Sequence, residues 1–326
     1  MKALTLACGS YDRTAALANG GVRPEGIDLT VLTLPVEEIF YRTAKYAEFD
    51  ISEMSLSSYL LTLDRQAEFV AIPVFPSRSF RHNGVYVRTD GGIDSVEQLV
   101  GATVGVPEYQ VTAAVWIRGI LQEHHGVPVR SVKYRIGGLY DAGRTEKLAI
   151  NPPGIDLAPV GRKATLGQLL IDGELDAIYS PRIPPEYAAG DRRIRRLWAD
   201  SKAVEASYFR ETGIFPIMHT VVIRRDVYER DRWIARSIMK AFQASKASAE
   251  RHLRETAALS SMLPWSYQEA ESTFALMGSD FWQYGLEENQ STLETLIQYS
   301  VDQGLASRAR APEELFAPET SSAFVI

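Results

Sequence analysis

A single cysteine, Cys8, is present in the 326-residue chain. One thiol closes no internal disulfide, so nothing here points to an oxidising compartment. Cys8 follows the apolar run 3–7 and reads as a small buried hydrophobe. The stretch ahead of it is far shorter than the roughly 15–30 residues of a secretory signal, so Leu6-Ala7-Cys8 is not taken as a lipoprotein site. No segment approaches the roughly 18 apolar residues of a membrane span. The expectation is a cytoplasmic protein with no membrane partner. An excess of basic charge is also missing: 35 Lys and Arg stand against 41 Asp and Glu, a net charge of -6. Binding to a phosphate backbone needs a basic surface, so nucleic acid is excluded as a partner. The chain has no solenoid repeat, low-complexity tract or zinc-type Cys/His spacing. It also lacks a nucleophile elbow, a Walker loop and a dinucleotide fingerprint; Gly91-Gly92 and Gly137-Gly138 break the chain without the required frame.

The hydrophobic fraction of 45% and charged fraction of 23% are those of an ordinary globular protein, and the length suits two domains. Apolar strand-like runs at 2–8, 27–34, 49–51 and 69–74 alternate with amphipathic helical stretches at 36–47 and 58–63. A second series follows the Asp90-Gly91-Gly92 break, with strands at 103–106, 132–136 and 177–179 and helices at 111–123 and 166–171. Residues 151–162 read as a surface loop, 205–209 as a helix, 218–223 as a strand and 233–303 as a helical tail. Such alternation predicts an α/β fold with mainly parallel or mixed sheets. The expected division is a discontinuous first lobe, 1–89 plus 217–326, and a second lobe, 90–216.

Ligands of such sheets bind beyond the carboxyl ends of the strands, so the polar segments there are the candidates. FPSRSFRHNGVYVR at 75–88 sets Arg78, Arg81 and His82 within five positions. Arginine offers a planar fork to carboxylates, and histidine exchanges protons near neutral pH. A solvated surface making local ion pairs is the alternative. Tyr11 and Arg13 follow the first strand, Glu53 and Ser55 the third, Glu108 and Thr112 the 103–106 strand, and Arg182 the 177–179 strand. For the two glutamates a helix-capping role is the competing reading. Of five histidines, His124 and His125 end a helix, where cations are stabilised, and His252 lies on a charged helix. His82 and His219 are left as the informative pair. The tryptophans Trp116, Trp233, Trp265 and Trp282 read as core.

Several runs are similar to one family. YDRT (11–14), RPEGIDL (23–29), FDISEMSLSSYL (49–60), IPVFPSRSFRHNGVYVR (72–88), GVPEYQVTAAVWIRGIL (105–121), ELDAIYSPR (174–182), GIFPIMHTVVIRRDVY (213–228) and MGSDFWQYGLEENQSTLETLIQYS (277–300) resemble the 4,5-dihydroxyphthalate decarboxylases. They cover nearly the whole chain in order. Departures are Gln283 and Arg232, each where the family pattern has proline, and IPPEY at 183–187. The resemblance implies a two-lobed periplasmic-binding-protein type II-like fold with a cleft between its lobes and a C-terminal helical segment returning to the first. It also implies a lyase of phthalate degradation acting on a small aromatic dicarboxylate without an organic cofactor.

On that reading Arg78 and Arg81 meet the substrate carboxylates, with Arg13 or Arg182 completing the clamp and Tyr11, Ser55, Glu108 and Thr112 lining the site. His82 and His219 are the acid/base candidates and Glu53 orients or reprotonates them. His82→Ala is then expected to lower turnover by at least ~10²-fold. The alternatives are a divalent metal chelated by the catechol, a non-catalytic binding protein or sensor for an aromatic carboxylate, and a pyrimidine-precursor synthase. Homo-oligomerisation is left open.

Overall fold

KALTLAC at the start contains no turn-forming residue and is apolar towards both sides, the composition of a strand covered on both faces. In the computed structural model, which describes residues 1–65 and 68–321, it forms β1 (Lys2–Cys8). The chain continues through α1 (Asp12–Ala18), β2 (Ile27–Thr33), α2 (Val36–Tyr46), β3 (Ile51–Ser55), α3 (Leu56–Leu63) and β4 (Phe69–Arg78). There follow β5 (Val85–Arg88), β6 (Thr103–Val106), α4 (Thr112–His125), β7 (Lys133–Ile136), β8 (Asp156–Pro159), α5 (Leu166–Ile171), β9 (Ala177–Tyr179), α6 (Pro185–Ala188), β10 (Ile194–Arg196) and α7 (Ser201–Thr212). The last stretch holds β11 (Ile217–Arg224), α8 (Arg225–Arg230), α9 (Trp233–Leu253), α10 (Ser266–Met277) and α11 (Gln290–Asp302).

The chain forms two units, each with one mixed sheet. Unit 1 comprises Met1–Arg78, Ile217–Glu294 and Arg310–Ile326; unit 2 comprises Ser79–Pro216 and Thr295–Ala309. The first change of unit falls ahead of Asp90-Gly91-Gly92, and β5 is hydrogen-bonded to β9 and β10 in the second sheet.

The sheet of unit 1 runs β2-β1-β3-β11-β4. β1 is parallel to β2 and to β3, with Ala7 opposite Ser52. β11 enters antiparallel between β3 and β4, putting His219 opposite Ser55 on one side and Ser77 on the other. The β11–β4 register shifts on both sides of His219, and such irregularities re-aim a side chain that strict alternation would place otherwise. Ala7, Ile39, Phe40 and Phe49 form the core where α2 covers this sheet. Ile234, Ile238, Phe242 and Ser245 recur at helical spacing along α9 and all are buried.

The sheet of unit 2 runs β10-β5-β9-β6-β7-β8. β6 is parallel to β7 and β9, and β7 to β8, while β5 and β10 are antiparallel additions. Tyr86, Leu139, Leu166, Leu170 and Ile178 fill its core. α4 is buried from Thr112 to Leu121. A Cβ on its Gly119 would run into the Tyr299 ring, so the close approach of these two elements requires glycine there. Gly126, at a φ of +65°, ends the helix in the left-handed conformation.

The structure departs from the sequence reading at several points. Residues 52–55 were expected after a strand but are β3 itself, and β4 continues through Ser77 and Arg78. Polar side chains at the middle of a sheet carry the sequence signature of a loop, which accounts for both differences. β8 lies in a segment expected to be loop, and β10 was not anticipated. Each is a short edge strand in which a single apolar alternation is too brief to register. The helical tail is interrupted between α9 and α10 and again before α11. Trp116 is buried as expected, whereas Trp233 and Trp265 are 45% and 71% exposed. The N-cap of α1 is Tyr11, which makes no side-chain capping bond. Among the described residues no helix is long and apolar enough to cross a membrane.

Candidate active site

Glu53 sits in the middle of β3 with no exposed surface. A carboxylate so placed requires partners for both oxygens, since an unpaired buried charge costs several kcal/mol or neutralises itself. The strand order supplies them. β1 ends beside β3, and the Gly9 amide donates to Glu53 Oε2 at 2.8 Å, with Cys8 Sγ at 3.5 Å. Tyr11, at the start of α1, donates its hydroxyl to Oε1 at 2.7 Å. From β11, His219 Nδ1 lies 2.5 Å from the same Oε1.

Burial pushes the Glu53 carboxyl up, but the His219 hydrogen bond and charge, the Gly9 amide and the Tyr11 hydroxyl together hold it below its ordinary value. An ionised carboxylate only accepts hydrogen bonds, so the proton between the two groups belongs to Nδ1. Nε2 has no partner among the described residues. It is the nitrogen left to give or take a proton, on a ring fixed by Glu53 and by the Phe40 ring edge at 4.8 Å. This is the orientation in which a carboxylate prepares an imidazole for acid/base work. Ser55 is buried beside it, directly opposite His219 in the ladder.

Arg13 lies on the first turn of α1. Its Nε donates to the Pro76 carbonyl at 2.6 Å and its Nη1 pairs with Asp12 at 3.0 Å. Its guanidinium carbon is 4.2 Å from the Tyr11 ring centre and 4.1 Å from that of Trp282. The Nη2 group has no partner among the described residues. Arg78, at the end of β4, is buried and donates to the Gln283 carbonyl at 2.7 Å and to the Asn289 side chain. Burial brings its pKa down to about 9, which leaves it cationic at neutral pH.

Unit 2 holds the other sequence candidates. Arg81 is buried, and burial lowers its pKa to about 10 while nearby Glu205 opposes the shift. His82 is 3% exposed. Its ring centre lies 5.3 Å from Trp198, 5.2 Å from Tyr208 and 6.1 Å from His125. Its Nδ1 has no hydrogen-bond partner among the described residues. Burial first, then the neighbouring His125 and His124, bring its pKa to about 4, so the ring is neutral at pH 7. Glu108 is buried after β6 and is met by Arg144 Nη2 at 2.6 Å, Lys147 Nζ at 2.8 Å and Gln110 Nε2 at 2.9 Å. Burial acts against its charge, and the Lys147 and Arg144 cations outweigh it, keeping the carboxyl below its usual value. Thr112 opens α4 and is buried. Arg182 follows β9 and lies with its guanidinium carbon 5.7 Å from the Tyr140 ring.

The structure therefore brings Tyr11, Arg13, Glu53, Ser55 and His219 together in unit 1, and Arg81, His82, Glu108, Thr112 and Arg182 lie in unit 2. Among the described residues no group of three or more His, Cys, Asp or Glu side chains is arranged to hold a metal ion. Sequence reasoning missed Gly9 and Trp282. Gly9 had a signal: a glycine directly after a buried strand and two residues before an aromatic marks a close approach. A Cβ there would stand 2.7 Å from the Tyr11 ring. Trp282 had none, because nothing in sequence pairs position 282 with position 13.

Comparison with known proteins then extends the picture. The chain is 40% identical over 327 residues to a 4,5-dihydroxyphthalate decarboxylase of Comamonas testosteroni, an alignment covering 99% of this chain and 98% of that one. It is 39% identical over 211 residues to a protein of the same name from Pseudomonas putida, covering 64% of this chain and 81% of the relative. No family model matches the chain. Among solved structures, a putative sulfonate ABC transporter periplasmic sulfonate-binding protein of Methylobacillus flagellatus KT superposes with a TM-score of 0.56 at 16% identity, over 98% of this chain and 92% of that one. The periplasmic aliphatic sulphonate binding protein of Escherichia coli gives 0.51 at 12% identity, over 98% and 99%. At these identities the structural likeness establishes the fold: two-lobed, of the periplasmic-binding-protein type.

Proposed function

The chain belongs to the 4,5-dihydroxyphthalate decarboxylase family and is a carboxy-lyase of phthalate degradation; from that premise we propose that it converts 4,5-dihydroxyphthalate to 3,4-dihydroxybenzoate and CO2 by protonating the ring carbon that bears the departing carboxylate. An aryl carboxylate does not lose CO2 directly, because the electron pair left behind lies in the ring plane and is not delocalised. Each carboxyl of this diacid stands para to a hydroxyl. With that hydroxyl ionised, its electrons reach the ipso carbon, which then accepts a proton. The resulting dienone releases CO2, the C–C bonding pair returns to the ring, and aromaticity is restored. One proton is consumed per turnover.

The observation that carries this reading is the 2.5 Å contact between His219 Nδ1 and a fully buried Glu53 carboxylate. Protonated His219 delivers its Nε2 proton to carbon, and Glu53 stabilises the imidazolium beforehand and fixes its direction. A well-placed proton transfer of this kind supplies ~10²–10⁴-fold in rate. The Nη2 group of Arg13 takes the carboxylate that is retained, a charge-assisted contact that positions the ring. Incubation with 4,5-dihydroxyphthalate, following CO2 and the catechol product, tests the reading. Stoichiometric release of both is expected; binding of the diacid without CO2 release would overturn it.

A further inference from the structure

Arg13 serves the carboxylate and Glu53 the proton. A single side chain touches both. The Tyr11 ring lies under the Arg13 guanidinium at 4.2 Å, and its hydroxyl donates to Glu53 Oε1 at 2.7 Å. The Trp282 ring centre lies 4.1 Å from the same guanidinium carbon, and its indole N–H donates to the Phe75 carbonyl at 2.9 Å. Gly9 leaves the space that the Tyr11 ring occupies.

We propose that Tyr11 is a positioning residue for both halves of the reaction, forming with Trp282 an aromatic bracket that orients Arg13 while its hydroxyl holds the Glu53 carboxylate under His219. The proposal rests on the assignment of His219, Glu53 and Arg13 made above. A guanidinium in contact with two aromatic rings gains cation–π attraction from each and loses freedom to turn its planar fork. Two of its nitrogens are already occupied, so the bracket sets where the third points. The hydroxyl acts at the other end. It shares Oε1 with His219, so it fixes the carboxylate oxygen that meets the imidazole.

The two contacts separate by substitution. Tyr11→Phe keeps the ring and removes the hydroxyl. It is expected to lower kcat about 10-fold and move the acid limb of kcat/KM to higher pH, with KM within about 2-fold. Trp282→Leu removes one of the two rings, with KM rising about 10-fold and kcat within about 3-fold; Trp282→Phe restores most of the affinity. Should Trp282→Leu fail to fold, Arg13→Lys asks the same question, since lysine keeps the charge but has no planar face; it too is expected to raise KM. A Tyr11→Phe enzyme with wild-type kcat and pH profile, or a Trp282→Leu enzyme changed only in melting temperature, overturns the bracket. His219→Ala and Glu53→Gln serve as reference. If both keep wild-type turnover, the proton-transfer assignment falls and the bracket with it; if both lose turnover while Tyr11→Phe does not, the bracket alone falls.

Discussion

Glu53, inside β3, and Glu108, just past β6, are both buried, and both carboxyls lie below their ordinary value, yet their surroundings differ in kind. Glu108 faces the Arg144 guanidinium and the Lys147 ammonium. Glu53 faces an imidazole, a phenol and a backbone amide. The first arrangement is a closed electrostatic anchor for the segment carrying Arg144 and Lys147. The second shares its charge with an imidazole through Nδ1, the contact on which the proposed proton transfer at Nε2 rests. The histidines divide in the same way. His219 has a carboxylate on one nitrogen and the other open, whereas His82 is enclosed by Trp198, Tyr208 and His125 and held neutral. What separates the two histidines is a carboxylate on one ring nitrogen of His219, which His82 does not have among its ring contacts.

Substitution can break or sharpen that contrast. The largest effect is expected for His219→Ala and Glu53→Gln, each lowering kcat by ~10²–10⁴-fold with the fold retained. Steady-state kinetics with circular dichroism decide it, and a loss below about 3-fold in both would abolish the distinction. Arg13→Ala is expected to raise KM by about 10- to 100-fold through loss of a charge-assisted contact; an unchanged KM removes it from carboxylate binding.

His82 should act on stability more than on turnover. Its proton is bound less readily in the folded chain, with a pKa of about 4, than in the unfolded chain, near 6.5. Between those values the unfolded chain carries more protons, so stability rises with pH and is lost as pH falls through the window. The difference is worth on the order of 3 kcal/mol. Denaturant titrations from pH 7 to pH 4 should show this slope in the wild type and a shallower one in His82→Phe, with kcat at pH 7 within about 3-fold. Parallel slopes, or a ~10²-fold loss of kcat, would return His82 to the acid/base group. The smallest effect on turnover is expected for Glu108→Gln, which removes the carboxylate charge that Arg144 and Lys147 share. Thermal melts should register ~1–3 kcal/mol of lost stability, with kcat within about 3-fold. A large loss of kcat there would make the anchor part of the chemistry.

Much of this was legible in the sequence, for identifiable reasons. The strand–helix alternation, the termination of α4 at His124-His125-Gly126 and the buried stripe of α9 follow from local periodicity and end signals. Glu53 and His219 were identifiable as chemically apt residues, but their meeting depends on β11 inserting between β3 and β4, which no local pattern encodes. The register shifts beside His219 are likewise properties of paired strands. The Tyr11–Arg13–Trp282 stack escaped because it joins an early helix to a distant tryptophan whose identity alone resembles core. Polar residues inside β3 and β4 were read as loop because their partners come from other strands.

The late arrival of β11 has a consequence for how the protein is made. Residues 53 and 219 are 166 positions apart, so a nascent chain bearing the first four strands leaves the ribosome long before the strand that belongs between β3 and β4. During that interval the edges of β3 and β4 lack their common neighbour, and an unpaired strand edge is open to pairing with other chains. Synthesis must pass Arg224 before the carboxylate and the imidazole exist as a pair, so a product ending in the middle of the chain lacks the contact on which the proposed proton transfer rests.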